Sequence, residues 1–479
     1  MTTLLLSITT AQAANFDQGE AVPSAPVVSH HSLRTHQGTL NYSAEVGRIA
    51  IRDVATGQAH GYMGYFAYRV PSKTPRPVLF VWNGGPGANS TTLQFEAAGP
   101  KIQHGQGLAD NPETWLQYAD LVFVDPIGTG FSRPTERRYA SEFYGTVGDV
   151  ASVTEFVRSW RLLHGAEQSP IYLAGESWGA GRAGSVGYAL LKQGIPVAGL
   201  MLLSGGAGLH TEKVPAAEAA ALKVVDLAHS AFYHGRLAKS VGSSIEAVEK
   251  AAKNWALSHY APALANIASL SGNDKADIIS GLSRFTGLPK SAIDKETLRI
   301  SPRSYRSHLL PGKTLNTFDM RRTTALPELP NQAIDRYIRH DLAYVTSLPY
   351  WGLDGAKAGY APNANYPQTP GQSWNYATAK LSATEVKAAI AKAIKDGGGP
   401  PKLGPPLPSV EEAKQLAPGL KVLVAAGSYD SLNSCTVNQA LAKKWPGIAF
   451  RCYTGGHMFY LDKASRLAFN KDLAKLIKD

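Results

Sequence analysis

Short apolar runs recur along the chain, each ending in a glycine-rich or acidic turn: Val78–Trp82, Leu121–Val124, Ile171–Ala174, Leu200–Leu203 and Val422–Ala426. They are continuous rather than alternating, which predicts strands covered on both faces, as in a parallel sheet between helices. The amphipathic stretch Asp149–Leu163 separates two of them. In open sheets of this kind ligands bind beyond the carboxyl ends of the strands. Upstream, Gly38–Val70 is strand-like with Gly and Asn punctuation and predicts an antiparallel meander. Residues 15–36 are polar, carry Pro23, Pro26 and His30-His31, and read as an exposed lead-in. The sheet pattern stops after Leu203 and resumes at Lys421. Between them, helical spacing at Ala216–Leu237, Ser244–Leu257 and Asn331–Val345 predicts a largely helical inserted cap. The cap is assigned to residues 208–375, and the core to 14–207 and 376–479. A further helix is expected at Thr384–Lys395, followed by a flexible loop through Gly397–Pro401 and Gly404–Pro408.

Of 479 residues, 44% are hydrophobic and 18% charged, a globular composition that excludes wholesale disorder and coiled coil. No stretch approaches the roughly 18 consecutive apolar residues of a spanning helix, so no membrane span is expected. The net charge of +11 is scattered, with Arg137-Arg138 and Arg321-Arg322 only pairs, so a nucleic-acid partner is not expected. Two cysteines exclude a disulfide scaffold and make a multi-cysteine zinc site a poor reading. No metal or other cofactor is called for. At the N-terminus, Leu4–Ile8 is apolar and Ala11-Gln12-Ala13 fits a small-x-small cleavage site. Residues 1–13 therefore read as a signal segment of an exported protein, periplasmic or secreted. The basic n-region is missing and the apolar run is short, as though the start of the signal were cut off.

Gly175-Glu176-Ser177-Trp178-Gly179 follows the run Ile171–Ala174 directly and precedes the helical run Arg182–Leu191. G-x-S-x-G at a strand-to-helix turn is a nucleophile elbow: the turn is so tight that its neighbours must be small, and it lifts the serine Oγ above the sheet. The helix N-terminus behind it offers N–H groups to developing negative charge. A serine hydroxyl needs a base, and in this class of sheet the order is Ser, then Asp or Glu, then His. Val422–Ala426 is followed by Gly427-Ser-Tyr-Asp430, whose Asp430 is the only aspartate between Asp396 and Asp462. The strand-like Ile448–Tyr453 leads into Gly455-Gly456-His457-Met458. These positions predict a catalytic triad of Ser177, His457 and Asp430.

Two further segments complete the pattern: Trp82-Asn-Gly-Gly-Pro-Gly87 and Asp125-Pro-Ile-Gly-Thr-Gly-Phe-Ser132. With Gly175-Glu-Ser-Trp-Gly179 and Gly456-His-Met458 they resemble, in order, the motifs of the serine carboxypeptidase family, in particular its bacterial members. The likeness covers about residues 75–207 and 415–470 and is weaker in the cap. It implies an α/β-hydrolase fold, with a mostly parallel central sheet flanked by helices. It implies a serine-type carboxypeptidase, a hydrolase that releases C-terminal residues from peptides through an acyl-enzyme. The backbone N–H groups of Gly85 and Trp178 would form the oxyanion hole. Asn83, Glu96 and Glu176 would hold the substrate's free carboxylate, sharing a proton because three carboxylates cannot all ionise together. A bell-shaped pH profile on the acid side of neutrality is then expected. The implied partner is a peptide with a free C-terminus; an esterase or acyltransferase on the same scaffold is the alternative.

Three departures from the family pattern stand out. Ser428 occupies a position often held by Asp, Ala88-Asn89-Ser90 replaces Cys-Ser-Ser, and Met458-Phe-Tyr460 replaces Met-Val-Pro. Cys435 and Cys452 follow the two triad loops and are either bridged or two buried thiols.

Overall fold

The computed structural model describes residues 25–206, 213–352, 370–371, 373–395 and 403–478. The signal segment at 1–13 and the glycine-proline run 397–401 lie outside the described residues.

The first three strands, β1 (Val27–Thr35), β2 (Gly38–Arg52) and β3 (Ala59–Arg69), form an antiparallel meander. The expected lead-in is thus partly wrong: from Val27 onward it is an edge strand. Its residues alternate between exposed and covered, and Leu33 reaches the core. An edge strand with one polar face needs few apolar residues, so its signal is weak.

Next come β4 (Val78–Trp82), a small hairpin of β5 (Lys101–His104) and β6 (Gly107–Asp110), then β7 (Asp120–Asp125) and the two-residue β8 (Arg133–Pro134). The sheet is completed by β9 (Ile171–Glu176), β10 (Gly199–Leu203), β11 (Lys421–Gly427) and β12 (Ile448–Tyr453). The strand order is β1-β2-β3-β7-β4-β9-β10-β11-β12, with β8 paired to β3. From β7 to β12 every pairing is parallel. This is the α/β-hydrolase architecture.

The apolar runs are continuous because both faces are covered. In β4, Leu79 and Val81 join a core with Tyr337, Ile338 and Phe469, while Val78, Phe80 and Trp82 join another with Phe156, Trp160 and Val186. Helices Thr146–Leu163 and Trp178–Lys192 supply the second layer. Between β10 and β11 the helices Ala216–Tyr233, Ile245–Trp255 and Gly272–Thr286 gather around a cluster of their own, including Val225, Val248, Leu282 and Phe285.

Cys435 and Cys452 form a disulfide, with Cα atoms 5.9 Å apart. It ties the helix Cys435–Ala442 to β12, next to the loops that bear Asp430 and His457. A loop of this size stabilises by about 3 kcal/mol through the unfolded chain. The Cys435→Ala/Cys452→Ala pair should therefore unfold at lower temperature than the parent, and reductant should abolish the difference. Equal melting without reductant would contradict this.

Candidate active site

Ser177 sits between β9 and the helix Trp178–Lys192 with φ of 57°, a strained value for a side chain other than glycine. Its surroundings admit no bulk. A Cβ on Gly175 would lie 1.8 Å from the Gly179 carbonyl oxygen, and one on Gly205 would lie 2.5 Å from that of Ser177. The turn is held by the Ser177 N–H, which donates to Leu203 O at 2.8 Å. These contacts are why the small residues of the elbow motif are required here.

The loop after β4 packs directly on the elbow. A Cβ on Gly84 would lie 2.5 Å from the Trp178 nitrogen, so only glycine permits this approach. Gly85 takes φ of 99°, which also favours glycine. Trp82 Nε1 donates to Gly179 O at 2.9 Å. Beneath the loop, Arg182 donates from Nη1 to Asn83 O at 2.8 Å and from Nε to Asp149 at 2.6 Å. Both partners of this ion pair are buried. The backbone segments of Gly84 and Trp178 are thus fixed side by side by glycine contacts and one buried guanidinium, with Gly85 next along the loop.

Asp430 follows β11 and His457 follows β12, both at the carboxyl edge of the sheet that carries Ser177. His457 Nδ1 lies 2.6 Å from Asp430 Oδ2, with both side chains buried. Burial opposes protonation of His457, but the charge and hydrogen bond of Asp430, with a smaller contribution from Glu176, outweigh it and raise its pKa above 6.5. Burial raises the Asp430 carboxyl, partly offset by His457. The end of β10 joins the two loops: Leu203 O accepts from Ser177, and Ser204 Oγ donates to His457 O at 2.5 Å. The His457 N–H donates to Phe318 O at 2.6 Å, so the inserted segment also braces this turn.

Glu176 is fully enclosed and accepts two hydrogen bonds. Asn83 Nδ2 donates to Oε2, and the Tyr460 hydroxyl donates to Oε1 at 2.8 Å. Asn83 is oriented by its own Oδ1, which accepts from Leu93 N at 3.0 Å. Burial raises the Glu176 pKa despite His457, Tyr460 and Asn83, which all favour its anion. Glu96 stands in the five-residue π-helical turn Gln94–Ala98. Burial first, then the charge of Glu176, push its carboxyl up to about 8. Its Oε2 is buried and has no hydrogen-bond partner. A buried polar atom without a partner is costly and calls for an explanation.

The eight positions singled out in the sequence therefore fall into three adjoining groups: Ser177 with Gly85 and Trp178, His457 with Asp430, and Asn83 with Glu176 and Glu96. Four contributors escaped sequence reasoning: Tyr460, Ser204 and the Asp149–Arg182 pair. Tyr460 had a signal, since it lies in the segment that departs from the family motif. Among the described residues no cluster of His, Cys, Asp or Glu is arranged to hold a metal ion.

Residues 40–192 match the family model of the serine carboxypeptidases. That stretch contains the loop after β4, Glu96 and the elbow, but not Asp430 or His457. The chain is 30% identical over 182 residues to serine carboxypeptidase-like 50 of Arabidopsis thaliana, covering 36% of this chain and 37% of that protein. It is 28% identical over 179 residues to a pheromone-processing carboxypeptidase of Blastomyces gilchristii, covering 36% of this chain and 25% of the relative. A vitellogenic carboxypeptidase of Aedes aegypti is 31% identical over 131 residues, 26% of this chain and 27% of the relative. The chain thus matches little more than a third of the length of these relatives, or less.

Proposed function

We propose that this protein is a serine carboxypeptidase that removes C-terminal residues from peptides. The observation that carries the reading is the buried group of Asn83, Glu176 and Glu96 beside the Ser177 elbow, with Glu96 Oε2 lacking a partner. A hydrolase without need of a carboxylate clamp gains nothing from two acids beside a site where an oxyanion develops. A substrate carboxylate would supply the missing partner, accepting the Glu96 proton. A cavity of about 1190 Å³ opens beside Glu96, walled by Asp319, Arg321 and Pro330, and offers room for the terminal residue.

In this reading His457 Nε2 takes the Ser177 Oγ proton as Oγ bonds to the scissile carbonyl carbon. The N–H groups of Gly85 and Trp178 receive the oxyanion. His457 then gives its proton to the leaving amine, the C–N bond breaks, and water attacks the acyl-enzyme by the same route. The roles require neutral His457 and protonated Glu96 together. Activity should rise as His457 loses its proton, above 6.5, and fall as Glu96 loses its own near 8. The expected bell is therefore narrower and higher than the motifs alone suggested. Digestion of N-blocked dipeptides tests the reading: the free C-terminal amino acid should be released, and an enzyme that cleaves only esters would contradict it.

Tyr460 acts here as a positioning residue, holding Glu176 and favouring its anion. Tyr460→Phe removes that donor and disfavours the Glu176 anion, so the charge that helps hold the Glu96 proton is weakened. The alkaline limb of kcat/KM for a free-acid peptide should move to lower pH, with kcat near its optimum little changed. A limb that stays put would remove Tyr460 from the account.

Export is part of the proposal and is supported by the disulfide, a bond that persists in oxidising compartments. Among the described residues no helix is long and apolar enough to cross a membrane.

A further inference from the structure

A second cavity, of about 530 Å³, lies between the inserted helices and the loop Asp430–Ser434. Four basic residues line it: Lys223 from the helix Ala216–Tyr233, Arg299, and Arg303 and Arg306 from the helix Pro302–His308. Two carboxylates also border it, and both are engaged elsewhere. Asp430 pairs with His457, and Asp226 accepts from the Ser434 and Thr436 hydroxyls.

The four cations have no ion-pair partner among the described residues. Arg306 reaches one neutral group, Thr317 Oγ1, and its Nε is buried without a partner. The cluster works against itself. Burial and then the charge of Arg299 lower the Lys223 pKa, with a smaller opposing effect from the Asp226 carboxylate, and burial and then Arg303 lower that of Arg306. Like charges from two distant chain segments converge on one concavity, where low-dielectric walls focus the field and concentrate anions. Guanidinium forks match tetrahedral oxyanions in bidentate geometry. The cavity falls in the size range of small-molecule sites, roughly 300–1,000 Å³.

We propose that this cavity is a binding site for a small multivalent phosphate-type anion, held by Lys223, Arg299, Arg303 and Arg306. It is separate from the carboxylate clamp, and the proposal does not depend on the peptidase reading.

The test is calorimetric titration of the whole protein with pyrophosphate at low ionic strength, with inorganic sulfate and phosphate as parallel arms. One pyrophosphate should bind per chain, more tightly than either single tetrahedral anion. Each of Lys223→Gln and Arg303→Gln should weaken binding by about tenfold or more, the scale of one charged hydrogen bond. Lys250→Gln, an exposed change on the helix Ile245–Trp255 outside the cavity, should leave it unaltered. Removing one of several repelling charges should not lower the melting temperature of the free protein, so lost binding can be told from lost folding. Three results would overturn the proposal: no saturable pyrophosphate binding, equal weakening by Lys250→Gln, or sulfate binding as tightly as pyrophosphate.

Discussion

Ser177→Ala is expected to lower kcat by about 10⁵–10⁶-fold, the cost of losing covalent catalysis in a serine triad. The expectation rests on the strain and crowding of the elbow. A φ of 57° and glycine contacts on both sides hold the Ser177 side chain at the start of the helix Trp178–Lys192. Alanine fits the same backbone, so the fold and substrate binding should survive. Residual turnover would come from the oxyanion donors and substrate positioning. An organophosphonate should label Ser177 in the parent protein and nothing in the variant. Unchanged turnover, or labelling at another residue, would remove Ser177 from the mechanism.

Glu176→Ala is expected to raise KM for a free-acid peptide by about 30-fold or more, equivalent to the roughly 2 kcal/mol lost when one partner of a buried charged pair is removed. The change deprives both Asn83 Nδ2 and the Tyr460 hydroxyl of their acceptor. It also removes the charge that helps hold the Glu96 proton up to about 8. Glu176→Gln separates these effects. It still accepts from Tyr460 at Oε1, but its amide nitrogen then faces the Asn83 amide, which cannot turn without releasing Leu93 N. The Gln variant should keep part of the activity, and its alkaline limb should move to lower pH, because a neutral residue 176 no longer helps hold the Glu96 proton. An Ala variant with unaltered KM would mean that Glu176 does not touch the substrate carboxylate.

The sheet and the elbow were legible because their causes are local. A strand buried on both faces needs an unbroken apolar run, and Val78–Trp82 shows it; a turn as tight as 175–179 needs its glycines. The acids near Ser177 were legible only through motif likeness, and their environment was not. Glu96 stands in a π-helical turn, for which five residues carry no periodic signal, and its oxygen without a partner leaves no mark in the sequence. Tyr460 reaches Glu176 across 284 positions of sequence, and a phenol in a loop gives no hint of its acceptor. The strand Val27–Thr35 escaped because an edge strand needs only a few covered residues such as Leu33. The basic cavity escaped because Lys223 lies far in sequence from Arg299, Arg303 and Arg306, and no two of the four are adjacent.

The central claim, that Asn83, Glu176 and Glu96 grip a substrate carboxylate through a shared proton, is tested most directly by kcat and KM for matched free-acid and C-terminally amidated peptides from about pH 4 to 9. Both substrates should lose kcat/KM at low pH as His457 becomes protonated. KM for the acid should climb as pH passes about 8, where Glu96 gives up its proton, and that limb should shift or vanish for the amide. Equal turnover of acid and amide with the same pH limbs would contradict the clamp.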